Sequence, residues 1–299
     1  LGKLKGTYGI AVVNQAEPER LLVARMGSPL VIGVGKDEWF VASDVSPLLP
    51  HTRRVVYLED GEYAVLTPDG YTVHARGKIS KKEVVDVEWS ETEAKRDGYP
   101  HFMLKEIYEQ PRALEDAMRG RLLVTEGSAR LGGLREVEKR LATIKRIILI
   151  SCGTSYHASL VGEYMLEEFA GIPCEVEFAS EFRYRKLLID KHTAVIALSQ
   201  SGETADTLAA IREAKRQGAL VLGIVNTVGS TIARETHAGI YNHAGREVSV
   251  ASTKAFTSQL GVLALLTLFL GRRRGLSLTD GKKITRALEQ LPKLMEQVL

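Results

Sequence analysis

The sequence predicts an α/β protein, a parallel sheet with helices on both faces, preceded by a partial antiparallel β region. Three observations carry this. Beyond residue 145, short apolar runs alternate with stretches of helical period, the pattern of strands buried on both faces by crossover helices. Residues 1–76 instead hold short runs rich in Val, Ile, Leu, Tyr and Phe, broken by Gly, Asp and Pro. Between the two regimes lies a densely charged segment.

In chain order, GIAVVNQ, LLVARMGSPLVIGVG, EWFVASD and RVVYLEDGEYAVLTPDGYTVH are strand-like, with EDGE and PDGY as hairpin turns. Residues 77–98 carry many charges around one weak strand and read as a linker. Residues 99–145 form a helical lead-in. There HFMLKEIYEQPRALEDAM places Met103, Ile107, Leu114 and Met118 at helical spacing, with Pro111 expected in the first turn of a new helix. LREVEKRLATI continues as an amphipathic helix. From 146 to 299 the order is strand RIILIS, helix SYHASLVGEYMLEEFAG, strand CEVEFA, helix SEFRYRKLL, strand TAVIALS, helix TADTLAAIREAKRQG and strand LVLGIVN. A further helix begins near Ser252 and is apolar around most of its circumference, so burial is expected, in part against another lobe or subunit. Its apolar run is too short to span a bilayer. The chain opens on a strand-like stretch without Met and stops inside the amphipathic pattern ALEQLPKLMEQVL, so both ends are expected to be cut from something longer.

Composition narrows the function. The 299 residues are 44% hydrophobic and 26% charged, enough to bury a real core. A net charge of +3 argues against a nucleic-acid surface carried by charge. Two cysteines, Cys152 and Cys174, are too few for a disulfide framework or a cysteine zinc site, and fit a reducing cytoplasm.

Two loops stand out. SCGTS (151–155) follows one strand and SQSGET (199–204) another, and each leads straight into a helix. In an open parallel sheet, ligands bind outside the carboxyl ends of strands. Gly153 and Gly202 let the backbone approach a ligand, and the helix N-termini offer free N–H donors. Ser155, Ser199, Ser201 and Thr204 add neutral O–H donors. Such a set suits a phosphate monoester, although each hydroxyl is equally suited to capping its helix. Neither a nucleotide P-loop nor a complete dinucleotide fingerprint occurs. A third stretch, HAGREVSVASTKAFTSQL, brings Ser249, Ser252 and Thr253, with Lys254 expected as a solvated first-turn lysine. Glu203 and Asp206 favour the positive end of their helix. His157, His237 and His243 lack metal-ligand spacing.

CGTS, SQSGETADTL and VASTKAFTSQL together resemble the sugar isomerase (SIS) domain. More closely, the chain resembles the glutamine–fructose-6-phosphate aminotransferase family, the glucosamine-6-phosphate synthases, through YPHFMLKEIYEQP and AGIPCEVEFASEFRYR as well. The N-terminal strands are similar to the back half of that family's glutaminase domain, an Ntn-type α+β fold. The resemblance runs over essentially the whole chain.

It implies residues 1–76 as a partial class II glutamine amidotransferase domain and 146–299 as a first SIS lobe. It implies an enzyme without metal or organic cofactor, acting on fructose 6-phosphate to give glucosamine 6-phosphate, in a homodimer and without nucleic-acid or membrane partners. Ser199, Gln200, Ser201 and Thr204 would bind phosphate. Cys152, Gly153, Thr154 and Ser155, with Val250 and Ser252, would line the sugar site. The family's catalytic groups have no counterpart in this sequence: the glutaminase cysteine would precede Leu1, and the proton-transfer and Schiff-base residues would follow Leu299. Glutamine use is therefore expected only of a longer chain, and neither half-reaction of this one. A sugar-phosphate-sensing regulator and a single-lobe phosphosugar isomerase are the alternatives. The β region ahead of the lobe fits the first poorly and is unexplained by the second.

Overall fold

A computed structural model describes residues 3–43, 45, 47–87 and 96–299. Chain contacts gather these into two units, residues 1–95 and 96–299. In the first, alternating apolar residues build two antiparallel sheets. Its strands are β1 (Tyr8–Asn14), β2 (Glu17–Met26), β3 (Val31–Val34), β4 (Trp39–Ala42), β5 (Arg54–Tyr57), β6 (Glu62–Thr67), β7 (Gly70–Ala75), β8 (Lys78–Ser80) and β9 (Val85–Asp86). One sheet has the order β1-β2-β6-β7-β8, the other β4-β3-β5-β9. Val23, Ala64, Leu66 and Val73 of the first pack with Ile32, Val34 and Val56 of the second.

PDGY closes a hairpin, with Thr67 opposite Gly70. EDGE does not. β5 pairs with β3 and β9 while β6 pairs with β2 and β7, so this turn carries the chain between sheets. Turn residues fix the bend and not the sheet that the next strand joins. Here the buried Glu62 carboxylate accepts from Glu59 N at 2.7 Å and pins the bend. Within the segment 77–98, β8 and β9 pair inside this unit, and residues 88–95 lie outside the described residues.

The second unit begins with α1 (Phe102–Met118), the short strands β10 (Leu122–Leu123) and β11 (Ser128–Ala129), a 3-10 turn (Gly132–Val137) and α2 (Glu138–Leu141). Then come β12 (Arg146–Ser151), α3 (Thr154–Ala170), β13 (Cys174–Phe178), α4 (Ala179–Phe182), β14 (Thr193–Ser199) and α5 (Ala205–Arg216). They are followed by β15 (Leu220–Val225), α6 (Thr231–Glu235), β16 (Ala238–Tyr241), α7 (Lys254–Gly271) and α8 (Leu278–Val298). The five long strands form one parallel sheet of order β13-β12-β14-β15-β16.

Because side chains alternate along a strand, the continuous apolar runs feed two cores. Ile147, Leu149 and Ile196 pack with α1, α3 and α7 on one face. Ile148, Ile150, Val195 and Ala197 pack with Phe182, Leu208, Ile211 and Ile232 on the other. α7 is the one described helix long and apolar enough to cross a membrane, and 83% of its residues are buried. Gly162 and Gly261 permit this close packing: a Cβ on Gly261 would sit 2.5 Å from Leu114 Cδ1, and one on Gly162 would sit 2.9 Å from Leu263 Cδ2.

Three helix expectations are corrected. Pro111 lies inside one continuous α1 and starts no second helix. Its missing N–H would strand Ile107 O, which instead accepts from Gln110 Nε2 at 3.0 Å. Residues 134–144 form the end of the 3-10 turn and the four-residue α2, with Leu134 and Leu141 as their buried anchors. SEFRYRKLL keeps only the short α4, since Phe182 and Leu187 alone of its residues are fully buried apolar side chains.

Candidate functional site

β12 and β14 are neighbours, and the chain leaves them toward opposite edges of the sheet. That is a topological switch point, where diverging loops open a crevice outside the strand ends. A cavity of about 410 Å³ lies there. Cys152, Gly153, Thr154 and Ser155 line one wall; Ser199, Gln200, Ser201 and Thr204 line a second; Val250 and Ser252 belong to a third. All ten residues singled out in the sequence thus border one space.

In the first wall, Gly153 takes φ 59° and ψ −136°, a conformation that turns β12 abruptly into α3 and that a side chain would strain. No side chain caps α3. Ser155 is buried, and its hydroxyl accepts from Gln259 Nε2 at 2.9 Å, which leaves its own proton available to donate. Behind it, Ser159 Oγ donates to Ser155 O at 2.9 Å and lies 2.9 Å from Ser151 Oγ.

The second wall is folded on itself. Ser199 Oγ accepts from Gly202 N at 3.0 Å and lies 3.3 Å from Thr204 Oγ1, while Ser201 Oγ accepts from Glu203 N at 3.2 Å. Gly202 has φ 68°, and a Cβ there would fall 2.0 Å from Ser230 Oγ. The hydroxyls order the loop without capping the helix. Thr204 is the N-cap residue of α5, yet its side chain makes no cap bond. Glu203 serves another helix, accepting from Thr231 N of α6 at 2.7 Å, and Asp206 pairs with Arg183 at 2.9 Å. By contrast, Ser277 caps α8 in the ordinary way, accepting from Asp280 N at 3.0 Å.

Residues 242–253 supply the third wall. Glu247 Oε1 accepts from Thr253 N at 2.8 Å and Ala255 N at 3.2 Å and so closes the N-terminus of α7. Lys254 is not solvated as expected: it is buried, with Nζ 2.6 Å from Glu109 Oε2, because α1 packs along the start of α7. No Lys or Arg lines the cavity among the described residues, and Glu247 is its charged member. The donors that face it are neutral hydroxyls and the open ends of α3 and α5. Such ends carry roughly half a positive charge each.

The histidines stay outside this lining. Burial lowers the pKa of His237, helped by Lys215, and that of His243, helped by Arg121. Burial, reinforced by the nearby Glu163 and Glu167, pushes the Cys174 thiol up to about 12. Wider cavities lie elsewhere among the described residues, such as one of about 660 Å³ beside Trp39 and Tyr71 and one of about 680 Å³ near Phe169 and Leu288. Neither gathers hydroxyls around a helix N-terminus.

The family model of the SIS domain matches residues 140–269. This chain carries a SIS domain. Over its full length it is 52% identical to a glutamine–fructose-6-phosphate aminotransferase of Chlorobaculum tepidum, covering 49% of that protein. It is 47% identical to that of Bacteroides thetaiotaomicron, again covering 49%. The chain thus spans about half the length of the curated relatives it matches. Among solved structures, the C-terminal domain of a glucosamine–fructose-6-phosphate aminotransferase from Francisella tularensis superimposes with TM-score 0.63 at 39% identity, over 67% of this chain and 56% of that one.

The SIS domain's sequence hid some lining residues. Leu198, Glu247 and Ala251 border the cavity, and Ser249 does so as more than a spare hydroxyl. Glu247 carries a usable signal, an acid seven residues ahead of the first residue of α7. Leu198 and Ala251 carry none.

Proposed function

We propose that the SIS domain of this chain holds the phosphate of a hexose phosphate, fructose 6-phosphate or glucosamine 6-phosphate, in the cavity between β12 and β14. Ser199, Gln200, Ser201 and Thr204 bind the phosphate, while Cys152 to Ser155, Val250 and Ser252 surround the sugar. The observation that carries this reading is the pair of helix N-termini, those of α3 and α5, that open into one hydroxyl-lined cavity with no side-chain cap of their own. Oriented N–H groups and hydroxyls compensate a phosphate dianion without a cation, because their dipoles are already aimed and need no reorganisation. At 410 Å³ the cavity is of the size that takes a small ligand.

In the same reading the chain contributes this lobe to a glutamine-dependent enzyme. That enzyme makes glucosamine 6-phosphate and glutamate from fructose 6-phosphate and glutamine, and it works in the cytoplasm as a homodimer. Residues 1–76 are part of its amidotransferase domain. The names of the relatives and their identity along the whole chain support the aminotransferase part of this reading.

Calorimetry with fructose 6-phosphate tests the site. Hydrogen bonds to a charged group contribute about 1.5–3 kcal/mol each. The Ser201→Ala, Thr204→Ala double variant should therefore bind at least ~150-fold more weakly than the parent chain. Equal affinity in the two, or no heat from a folded parent, would sink the proposal.

A further inference from the structure

The stretch YPHFMLKEIYEQP borders no part of the cavity, yet its helix is bonded repeatedly to the segment that forms the third wall. Residues 242–253 belong to no helix or strand and have no ladder to hold them. Their first part hangs on Asn226, which accepts from Ala244 N at 2.9 Å and donates to Gly245 O at 2.6 Å. Their middle hangs on α1. Glu106 accepts from Val248 N at 2.5 Å, from Ser249 N at 3.3 Å to each carboxylate oxygen, and from Ser249 Oγ.

The ties continue along the same helix face. Lys254 Nζ meets Glu109 Oε2 at 2.6 Å, Lys105 Nζ meets Glu109 Oε1 at 3.4 Å, and Thr257 Oγ1 donates to Gln110 Oε1 at 2.6 Å. Positions 105, 106, 109 and 110 fall on one side of a helix by its 3.6-residue period.

We propose that Glu106 is a positioning residue for the sugar part of the site: from α1 it fixes Val248 and Ser249, and thereby sets Val250 and Ser252 against a hexose. This rests on the reading of the cavity as a hexose phosphate site. Glu106 is 2% exposed. An unpaired carboxylate in that setting costs several kcal/mol, so its three donors are what keep it there. A carboxylate is acceptor-only and offers about four lone-pair sites, which matches two main-chain N–H groups and a hydroxyl. Glutamine would turn its amide NH2 toward those donors. The phosphate loop 199–204 keeps its own bonds and has none to Glu106. The two halves of the site are therefore separable.

The test compares the full chain with its Glu106→Gln and Glu106→Asp variants, using amide hydrogen exchange and calorimetry with fructose 6-phosphate and with inorganic phosphate. In Glu106→Gln, exchange at Val248 and Ser249 should rise at least tenfold and fructose 6-phosphate affinity should fall at least tenfold. Inorganic phosphate affinity should stay within twofold. Glu106→Asp, one methylene shorter but still charged, should show smaller changes in the same order, and it decides the matter if Glu106→Gln does not fold. Unchanged exchange at the two amides overturns the proposal. So does a parallel loss of both ligands, which is what general collapse of the domain would give. If the parent chain binds neither ligand, the hexose phosphate reading fails and takes the sugar-positioning role with it, while exchange still reports whether Glu106 holds the loop.

Discussion

Cys152 and Cys174 sit in opposite surroundings, and thiol chemistry separates them. Cys152 is partly exposed on the cavity wall, whereas Cys174 is buried with its thiol raised to about 12. The thiolate is the reactive form, so Cys174 should stay silent to iodoacetamide in the native chain at neutral pH. One thiol per chain should react, rising to two in denaturant, and fructose 6-phosphate should slow the native reaction if it covers Cys152. Mass spectrometry of the labelled peptides checks this, and modification of native Cys174 would refute it. At this scale the sequence was legible where residue type and place in the chain coincide. Ser199, Gly202 and Thr204 directly follow an apolar strand, where a ligand loop belongs. Glu106 was opaque because its partners are 142 and 143 residues away. In a helix beside Lys105 it looks like surface, yet it is buried and bonded to the returning loop.

Among the elements, the sheet was the readable part, since runs such as TAVIALS are short and follow one another at regular intervals between helical stretches, and this one is buried at every position. Helices were less so wherever a local breaker was repaired by a neighbour. α1 passes through Pro111 because the Gln110 side chain takes the carbonyl that the proline leaves free. A double-mutant cycle isolates that repair. Gln110→Ala loses both the bond to Ile107 O and the acceptor for Thr257 Oγ1. In a Pro111→Ala background the restored N–H bonds Ile107 O itself, so only the Thr257 part is lost. Urea unfolding should give a coupling energy of about 1 kcal/mol between the two sites. Additivity within about 0.3 kcal/mol would mean that Gln110 does not support the helix.

On the scale of the whole molecule, the two units have separate cores: residues 1–95 hold one between their sheets and a smaller one around Val45, Leu48 and Val55, and residues 96–299 hold two around the parallel sheet. Heat should therefore unfold them in two calorimetric transitions, and a sugar phosphate should act on one. A ligand that binds only the folded state at 100 times its Kd adds about 2.7 kcal/mol of stability. For a unit of some 200 residues, each kcal/mol moves the midpoint by about 2–4 °C, so the shift should be roughly 5–10 °C. The transition that moves is assigned to residues 96–299 by repeating the scan with Ser201→Ala, Thr204→Ala, in which the shift should shrink to about 1 °C. If fructose 6-phosphate moved both transitions of the parent chain together, the units would be thermodynamically coupled. The cavity's ligand would then stabilise the β unit as well, and truncating either unit would weaken the other.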